Sequence, residues 1–116
     1  FTPFYGRIVL ILGIMDDKDI QGIMDPLLPI PSEIILTAPD YERAALPEKL
    51  AEYAESMGFP SRIACSVKEA IDLAFTTAEN SQQKTLVVIT GSFYTIGEAK
   101  MYLGEACNSP LLSRLR

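Results

Sequence analysis

Residues 86–98 read Leu-Val-Val-Ile-Thr-Gly-Ser-Phe-Tyr-Thr-Ile-Gly-Glu, an apolar run that breaks at a Gly-Ser pair and continues directly into a helical pattern. The apolar run is typical of a buried β-strand, and the helix is predicted to begin near Phe93. The first N–H groups of a helix lack partners inside it, and the helix dipole adds partial positive charge at the same end. This turn therefore favours a negatively charged ligand, and Ser92 adds a hydroxyl to it.

The rest of the chain follows the same strand-then-helix pattern, which occurs four times in all. The predicted strands cover residues 7–12, 32–37, 61–65 and 85–89, and the predicted helices cover residues 19–28, 47–57, 67–78 and 93–105. Alternation of this kind predicts an α/β fold, a Rossmann-like three-layer α/β/α domain with a mostly parallel, doubly wound sheet. We expect one domain, residues 1–116, in which residues 108–116 are a frayed tail.

The expected strand order, 3-2-1-4, determines where a ligand binds. Strands 1 and 4 are then neighbours at the switch point of the sheet, and ligands of such sheets bind beyond the carboxyl ends of the strands. The loops at that place are residues 13–19 and 90–97. We therefore predict that Lys18 and Ser92 converge on one site.

Composition excludes several classes of function. The net charge of −5 disfavours nucleic-acid binding. No apolar run approaches the roughly 20 residues that span a bilayer, so no membrane association is expected. Cys65 and Cys107 fit neither a disulfide framework nor a metal site, and we expect buried or incidental thiols in a reducing cytoplasm.

The chain has no histidine. This excludes Ser-His and Cys-His catalysis and His-ligated zinc within the chain, and we expect no metal site. The missing initiator Met leads us to expect a piece of a larger polypeptide.

Each candidate residue of the first loop also has a structural interpretation. Lys18 lies among Asp16, Asp17 and Asp19, so it belongs either to a solvated charge cluster or to a site for a carboxylate or phosphate. Asp19 is expected to be the cap of the first helix rather than a ligand. Asp16 and Asp17 are a weak signal for a metal ion.

The remaining candidates are also ambiguous. Ser92 is either a helix cap or a ligand contact, and Arg43 is either a loop surface residue or a cleft residue. Tyr94 is expected to lie in the core, with a lid over a ligand as the alternative, and Glu98 is expected to face solvent. A phospho-accepting receiver domain is disfavoured, because the third strand ends in Cys65-Ser66 and no fifth strand is evident.

Three segments resemble the C-terminal domain of folylpolyglutamate synthase, which in bacteria is often bifunctional with dihydrofolate synthase. That domain is similar to the glutamate-ligase domain of the Mur peptide ligases. The segments, in chain order, are Gly-Ile-Met-Asp-Asp-Lys-Asp-Ile at 13–20, Leu-Thr-Ala-Pro at 36–39 with Arg-Ala at 43–44, and Val-Ile-Thr-Gly-Ser-Phe-Tyr at 88–94 with Gly-Glu at 97–98.

The resemblance implies an ATP-dependent ligase that joins L-glutamate to a folate or dihydropteroate carboxylate through an acyl phosphate. By that pattern Lys18 and Ser92 would bind the incoming glutamate. Asp17, Asp19, Arg43 and Tyr94 would face the cleft or the nucleotide. No catalytic residue is expected in this chain.

The resemblance also implies that essential parts of the ligase lie elsewhere. ATP and Mg²⁺ would be bound mainly by an N-terminal ATPase domain of the same polypeptide, because no Gly-rich phosphate loop is present here. The family's Asp-Gly-Ala-His-Asn-Pro signature is absent too, so we expect the chain alone to be inactive. The alternatives are a non-catalytic module that binds a small ligand or a nucleotide, and an interaction or regulatory domain.

Overall fold

The computed structural model describes the backbone of residues 6–106 and the side chains of residues 6–104. The tail expected at 108–116 lies outside these residues. The described elements, in chain order, are β1 (Arg7–Leu12), α1 (Ile20–Leu27), β2 (Glu33–Leu36), α2 (Pro47–Ser56), β3 (Arg62–Ile63), α3 (Val67–Asn80), β4 (Thr85–Thr90) and α4 (Phe93–Ala106).

The four strands form one parallel sheet in the order β3-β2-β1-β4. The predicted fold class and strand order are therefore confirmed. β1 has a partner on each side, with Leu10 opposite Ile34 of β2 and Val88 of β4. Its residues after Arg7 are all buried, which explains why its sequence is a continuous apolar run.

Helices cover both faces of the sheet. Leu10 and Leu12 of β1 pack with residues of α1 and α2 in one apolar cluster, and Val9 and Ile11 pack with residues of α3 and α4 in another. The alternation follows from the two-residue period of a strand, which directs successive side chains to opposite faces. The result is the predicted three-layer arrangement.

Helix caps confirm the predicted start of two helices. The carboxylate of Asp19 accepts a hydrogen bond from the N–H of Gly22, and the hydroxyl of Ser66 accepts one from the N–H of Glu69. Each satisfies one of the N–H groups that have no partner inside the helix.

Most element boundaries differ from the prediction by one or two residues, and the ends of α1 and β3 have identifiable causes. α1 ends at Leu27 because Pro29, two residues later, has no N–H to continue the helical ladder; Pro26 lies inside the last turn, and the N–H of Leu28 still donates to the carbonyl of Met24. β3 contains only Arg62 and Ile63 instead of residues 61–65, and it pairs with β2 alone at the edge of the sheet. No helix among residues 6–106 has both the length and the apolarity needed to cross a bilayer.

Candidate functional site

Three loops meet at the carboxyl ends of the strands. The loops after β1 and β2 are joined by an antiparallel bridge between Met15 and Ala44. The N–H of Asp16 donates to the carbonyl of Arg43 at 2.7 Å, and that of Ala45 donates to the carbonyl of Ile14 at 2.8 Å. The loop that carries Lys18 is therefore fixed to the loop that carries Arg43.

The third loop approaches the first at two glycines. Gly91 has a φ of +119°, and a Cβ atom built on it would lie 2.3 Å from the carbonyl oxygen of Gly13. No side chain fits at that distance, and L residues rarely adopt that backbone conformation. Gly91 thus allows the turn from β4 into α4 to contact the loop after β1, in agreement with the predicted backbone role.

Ser92 caps α4 and belongs to a chain of hydrogen bonds. Its Oγ accepts the N–H of Thr95 at 3.1 Å and lies 2.9 Å from Thr95 Oγ1, which is 2.9 Å from the carbonyl oxygen of Gly13. A carbonyl only accepts, so Thr95 donates its hydroxyl proton to Gly13 and Ser92 must donate its own to Thr95. The cap predicted at Ser92 is present, and the proton of its hydroxyl is engaged within the protein.

Thr95 is a residue that the sequence reasoning missed. Its side chain is fully buried and connects the start of α4 to the first loop. The signal that would have found it is its position three residues after the cap Ser92, where helix-capping partners commonly occur.

A cavity of 520 Å³ lies between the three loops. Five of the six candidate residues from the sequence line it: Asp17, Lys18, Arg43, Ser92 and Tyr94. Asp19, the sixth, does not, because its carboxylate caps α1. The other lining residues are Met15, Ile23, Tyr41, Thr90, Gly91, Phe93 and Ile96.

The charged side chains of the cavity are not neutralised by close partners. Among residues 6–106, the side chains of Asp17, Lys18 and Arg43 form no ion pair within 4 Å and no hydrogen bond. The neighbouring carboxylate of Asp16 instead pairs with Lys49 at 3.1 Å. Lys18 and Ser92, which the sequence predicts to converge, line the same cavity.

The prediction that Tyr94 lies in the core is wrong. Its side chain is 48% exposed and stacks on Tyr41, with ring centroids 4.2 Å apart and an interplanar angle of 13°. In the first turn of α4 the neighbouring Thr95 is buried, and Tyr94 lines the cavity instead. The side chain of Tyr41 is the largest cause of a raised pKa of Tyr94; partial burial and Asp17 add to it, and Arg43 opposes it.

Two further expectations are corrected. Glu98 does not simply face solvent, because its carboxylate accepts the N–H of Asp40 and so holds the loop after β2 against α4. Cys65 is exposed rather than buried, because it follows the short edge strand β3. Cys107 lies outside the described residues.

Residues 6–104 contain no group of three or more carboxylate, cysteine or histidine side chains placed to hold a metal ion.

The fold and the cavity define a Rossmann-like domain with an anion-favouring cleft at the carboxyl ends of its central strands. The family described as Mur ligase, glutamate ligase domain matches residues 1–93. The chain belongs to this family.

Relatives and solved structures agree with the assignment. The chain is 30% identical over 110 residues to the dihydrofolate synthase/folylpolyglutamate synthase of Mycobacterium tuberculosis, a match that covers 84% of this chain and 23% of that protein. Among solved structures, M. tuberculosis folylpolyglutamate synthase complexed with ADP and AMPPCP superposes with a TM-score of 0.76 at 33% identity, over 84% of this chain and 24% of that one. Escherichia coli FolC in complex with DHPP and ADP gives 0.75 at 26% identity, over 90% and 23%.

The chain thus spans about a quarter of the length of the relatives that it matches. The ligands named for those proteins are bound by much longer polypeptides than this chain.

Proposed function

We propose that the chain is the glutamate-binding domain of an ATP-dependent ligase, a folylpolyglutamate synthase or dihydrofolate synthase. The reaction would join L-glutamate to a folate or dihydropteroate carboxylate through an acyl phosphate. Family membership and the names of the relatives support this reaction class. The observation that carries the proposal is the ammonium of Lys18, which has no ion-pair partner among the side chains of residues 6–104 and lies on the same cavity as the start of α4.

Lys18 and the start of α4 suit a carboxylate of the incoming glutamate. A carboxylate ion only accepts hydrogen bonds, and it meets a point charge from Lys18 and the backbone N–H groups of the first helical turn. Holding a carboxylate of a short amino acid restricts the orientations of its amine. The contribution of this domain would be the positioning of a nucleophile.

Ser92 is proposed as the second contact to glutamate, and its hydrogen bonds set a condition on that role. Its hydroxyl proton is engaged with Thr95, so donation to a ligand requires the hydroxyl to rotate away. The Thr95 N–H can stay bonded to Ser92 Oγ during that rotation, because the oxygen has two lone pairs.

The partner of this domain would be an ATPase domain that precedes it in the same polypeptide. ATP and Mg²⁺ would bind mainly there, with the loop of residues 37–43 and the cavity facing the cleft between the domains. Phe93 supports an interdomain surface at this place, because its side chain is 92% exposed at the rim of the cavity. Phe93 lies beside the exposed rings of Tyr41 and Tyr94 on the cavity, and a contiguous exposed apolar patch commonly marks a surface that another protein covers.

A non-catalytic module for a nucleotide or another ring-shaped ligand is the second candidate. The stacked pair of Tyr41 and Tyr94 on the cavity wall favours it, because a flat aromatic surface beside Arg43 suits a planar ring. A pure interaction domain is the third candidate and requires no response to small ligands.

Titration of the ¹⁵N-labelled chain separates these functions. We expect L-glutamate to give saturable amide shifts in residues 15–18 and 91–95. Lys18→Gln should weaken binding about tenfold or more, which corresponds to about 1.4 kcal/mol for each factor of ten. Lys100→Gln, which removes the same charge from an exposed position of α4, is the matched control.

Other outcomes of the titration contradict the proposal. Shifts with ATP but not with glutamate would support the nucleotide module, and equal affinities of the Lys18→Gln and Lys100→Gln proteins would remove Lys18 from the site. A separate turnover assay with ATP, glutamate and dihydropteroate is expected to give no product with this chain alone.

A further inference from the structure

A second concave site lies at the opposite end of the sheet, where the strands begin. Arg7 of β1 and Arg62 of β3 both donate hydrogen bonds to the carboxylate of Glu33 on the intervening strand β2, with 3.3 Å between Arg62 Nη1 and Glu33 Oε1. A cavity of 400 Å³ adjoins them under the last turns of α3, lined by Arg7, Arg62, Leu73, Thr76, Thr77, Asn80 and Ser81.

The strand register explains why these three side chains meet. Ile35 of β2 packs on the face covered by α3, so Glu33, two residues earlier, points to the same face. Arg62 is opposite Ile35 in the ladder, and Arg7 is two residues before Val9, which packs on that face too. The fold therefore places two cations and one anion on one face.

The charges of this cluster are not balanced. Two guanidinium groups share the single carboxylate of Glu33, and no other acidic residue lines the cavity. The side chains of Arg7 and Glu33 are 31% and 24% exposed and that of Arg62 is 49% exposed, so solvent screens the charge of Arg62 more than that of Arg7. A site of this kind attracts an anion.

One buried hydrogen-bond donor of the cavity lacks a partner, whereas Arg62 Nη1 also donates to Thr77 Oγ1 at 3.4 Å. Arg7 Nε is buried and has no hydrogen-bond partner among the described residues. The hydroxyl protons of Thr76 and Thr77 are already donated to the carbonyls of Asp72 and Leu73. The group that is missing is an acceptor with several oxygen atoms that reaches both guanidinium groups.

We propose that Arg7 and Arg62 form a binding site for a small oxyanion, a phosphate or carboxylate group, separate from the cavity of Lys18. The planar guanidinium fork pairs with such groups through two parallel hydrogen bonds, which an ammonium group does not provide. Five residue steps along β1, at about 3.3 Å each, put the site about 17 Å from the carboxyl end of the sheet.

A purely structural role for the two arginines predicts different behaviour. Cations near the carboxyl end of α3 would stabilise the negative end of its dipole without any ligand. In that case Glu33 serves only to hold the arginines, and its removal would bring no new affinity. In an oxyanion site Glu33 competes with the ligand for the same donors, so its removal should tighten binding.

The test is a titration of the full ¹⁵N-labelled chain with inorganic phosphate and, separately, with acetate, both at an ionic strength held constant with sodium chloride. We expect saturable shifts in residues 7–8, 33, 61–62 and 76–81. Arg62→Gln should weaken binding at least tenfold and Arg62→Lys less, while Lys100→Gln should leave it unchanged. Glu33→Gln should tighten binding several-fold. The anion with the lower dissociation constant identifies the ligand class.

Several results would overturn the proposal. They are the absence of saturation with both anions, equal affinities of the Arg62→Gln and Lys100→Gln proteins, or weaker binding by a folded Glu33→Gln protein. Thermal unfolding followed by circular dichroism verifies that each variant is folded, and Arg62→Lys tests the fork geometry if Arg62→Gln does not fold. The affected amides lie at the amino ends of the strands, so this result is independent of glutamate binding near Lys18.

Discussion

Replacement of Gly91 by alanine should be among the most damaging conservative changes available in this domain. The residue has a φ of +119°, and an added Cβ would lie 2.3, 2.9 and 3.0 Å from the carbonyl oxygen, carbonyl carbon and nitrogen of Gly13. All three are backbone atoms of the loop after β1, so no side-chain rotation relieves the contact. The turn into α4 would have to separate from that loop.

The size of the effect follows from two costs. A non-glycine residue in a sparsely populated conformation costs about 1–3 kcal/mol, and overpacking that shifts backbone costs about 1–3 kcal/mol more. A loss of about 2–6 kcal/mol is a large fraction of the roughly 5–15 kcal/mol that stabilises a typical domain. At about 4 °C for each kcal/mol, the melting temperature should fall by about 8–24 °C.

The assay is chemical and thermal unfolding of Gly91→Ala beside two other glycine variants. Gly97→Ala is the matched control, because Gly97 lies inside α4 with nothing within 4 Å of an added Cβ, and it should stabilise the protein by about 0.5–1 kcal/mol. Gly58→Ala should fall between the two, because its φ is +88° but the space around it is open.

The order of the three variants is the test of the reasoning. If Gly91→Ala unfolds within about 1 kcal/mol of the Gly97→Ala protein, the contact between the first and third loops does not exist in solution. The loop after β1 and the turn into α4 would then not be in contact beside the cavity. The proposed site of Lys18 and the start of α4 would have to be abandoned.

Three further changes test the cavity wall. Thr95→Val should cost about 1–3 kcal/mol in urea unfolding, because the buried carbonyl of Gly13 loses its hydroxyl donor; an unchanged midpoint would contradict the hydrogen-bond chain. Ser92→Ala should cost about 0.5–2 kcal/mol as a lost helix cap, and it should reduce glutamate affinity less than Lys18→Gln if the hydroxyl proton stays engaged. The raised pKa of Tyr94 means that the folded state holds the phenol proton more tightly than the unfolded state, so this contribution to stability is complete below pH 10.0 and is lost as the pH rises through the folded pKa. The difference in stability between wild type and Tyr94→Phe should therefore shrink as the pH rises above 10.0, and a difference independent of pH would refute the interaction.

The parts of the fold that depend on periodicity could be predicted from the sequence. The apolar run of β1 and the spacing of apolar residues in α3 reflect which side chains are buried. Because this pattern repeats along the whole strand or helix, it can be read from the sequence. Caps such as Asp19 and Ser66 follow from local hydrogen bonds within four residues, which sequence spacing also records. The strand order then placed Lys18 and the start of α4 at one end of the sheet.

The positions of the tyrosines could not be predicted in this way. Tyr41 lies in a loop without periodicity, and its partner Tyr94 is 53 positions away in the chain. The stack depends on how the tertiary fold places the loop after β2 beside the first turn of α4. The sequence of either segment alone does not specify that placement. The same holds for Glu98, whose contact with Asp40 joins a helix to a loop through tertiary packing alone.

The location of Ser92 could be predicted from the sequence, but the direction of its hydrogen bonds could not. Its position at the mouth of α4 made it a candidate ligand contact, and the structure places it on the cavity. Whether its hydroxyl donates to a ligand depends on Thr95, three residues later, and on the carbonyl of Gly13, 79 positions earlier. Because that carbonyl only accepts, the direction of both hydroxyl bonds is set by an atom in another loop. An anion in the cavity is therefore met first by Lys18 and the backbone of α4, and Ser92 joins them only when it gives up its bond to Thr95.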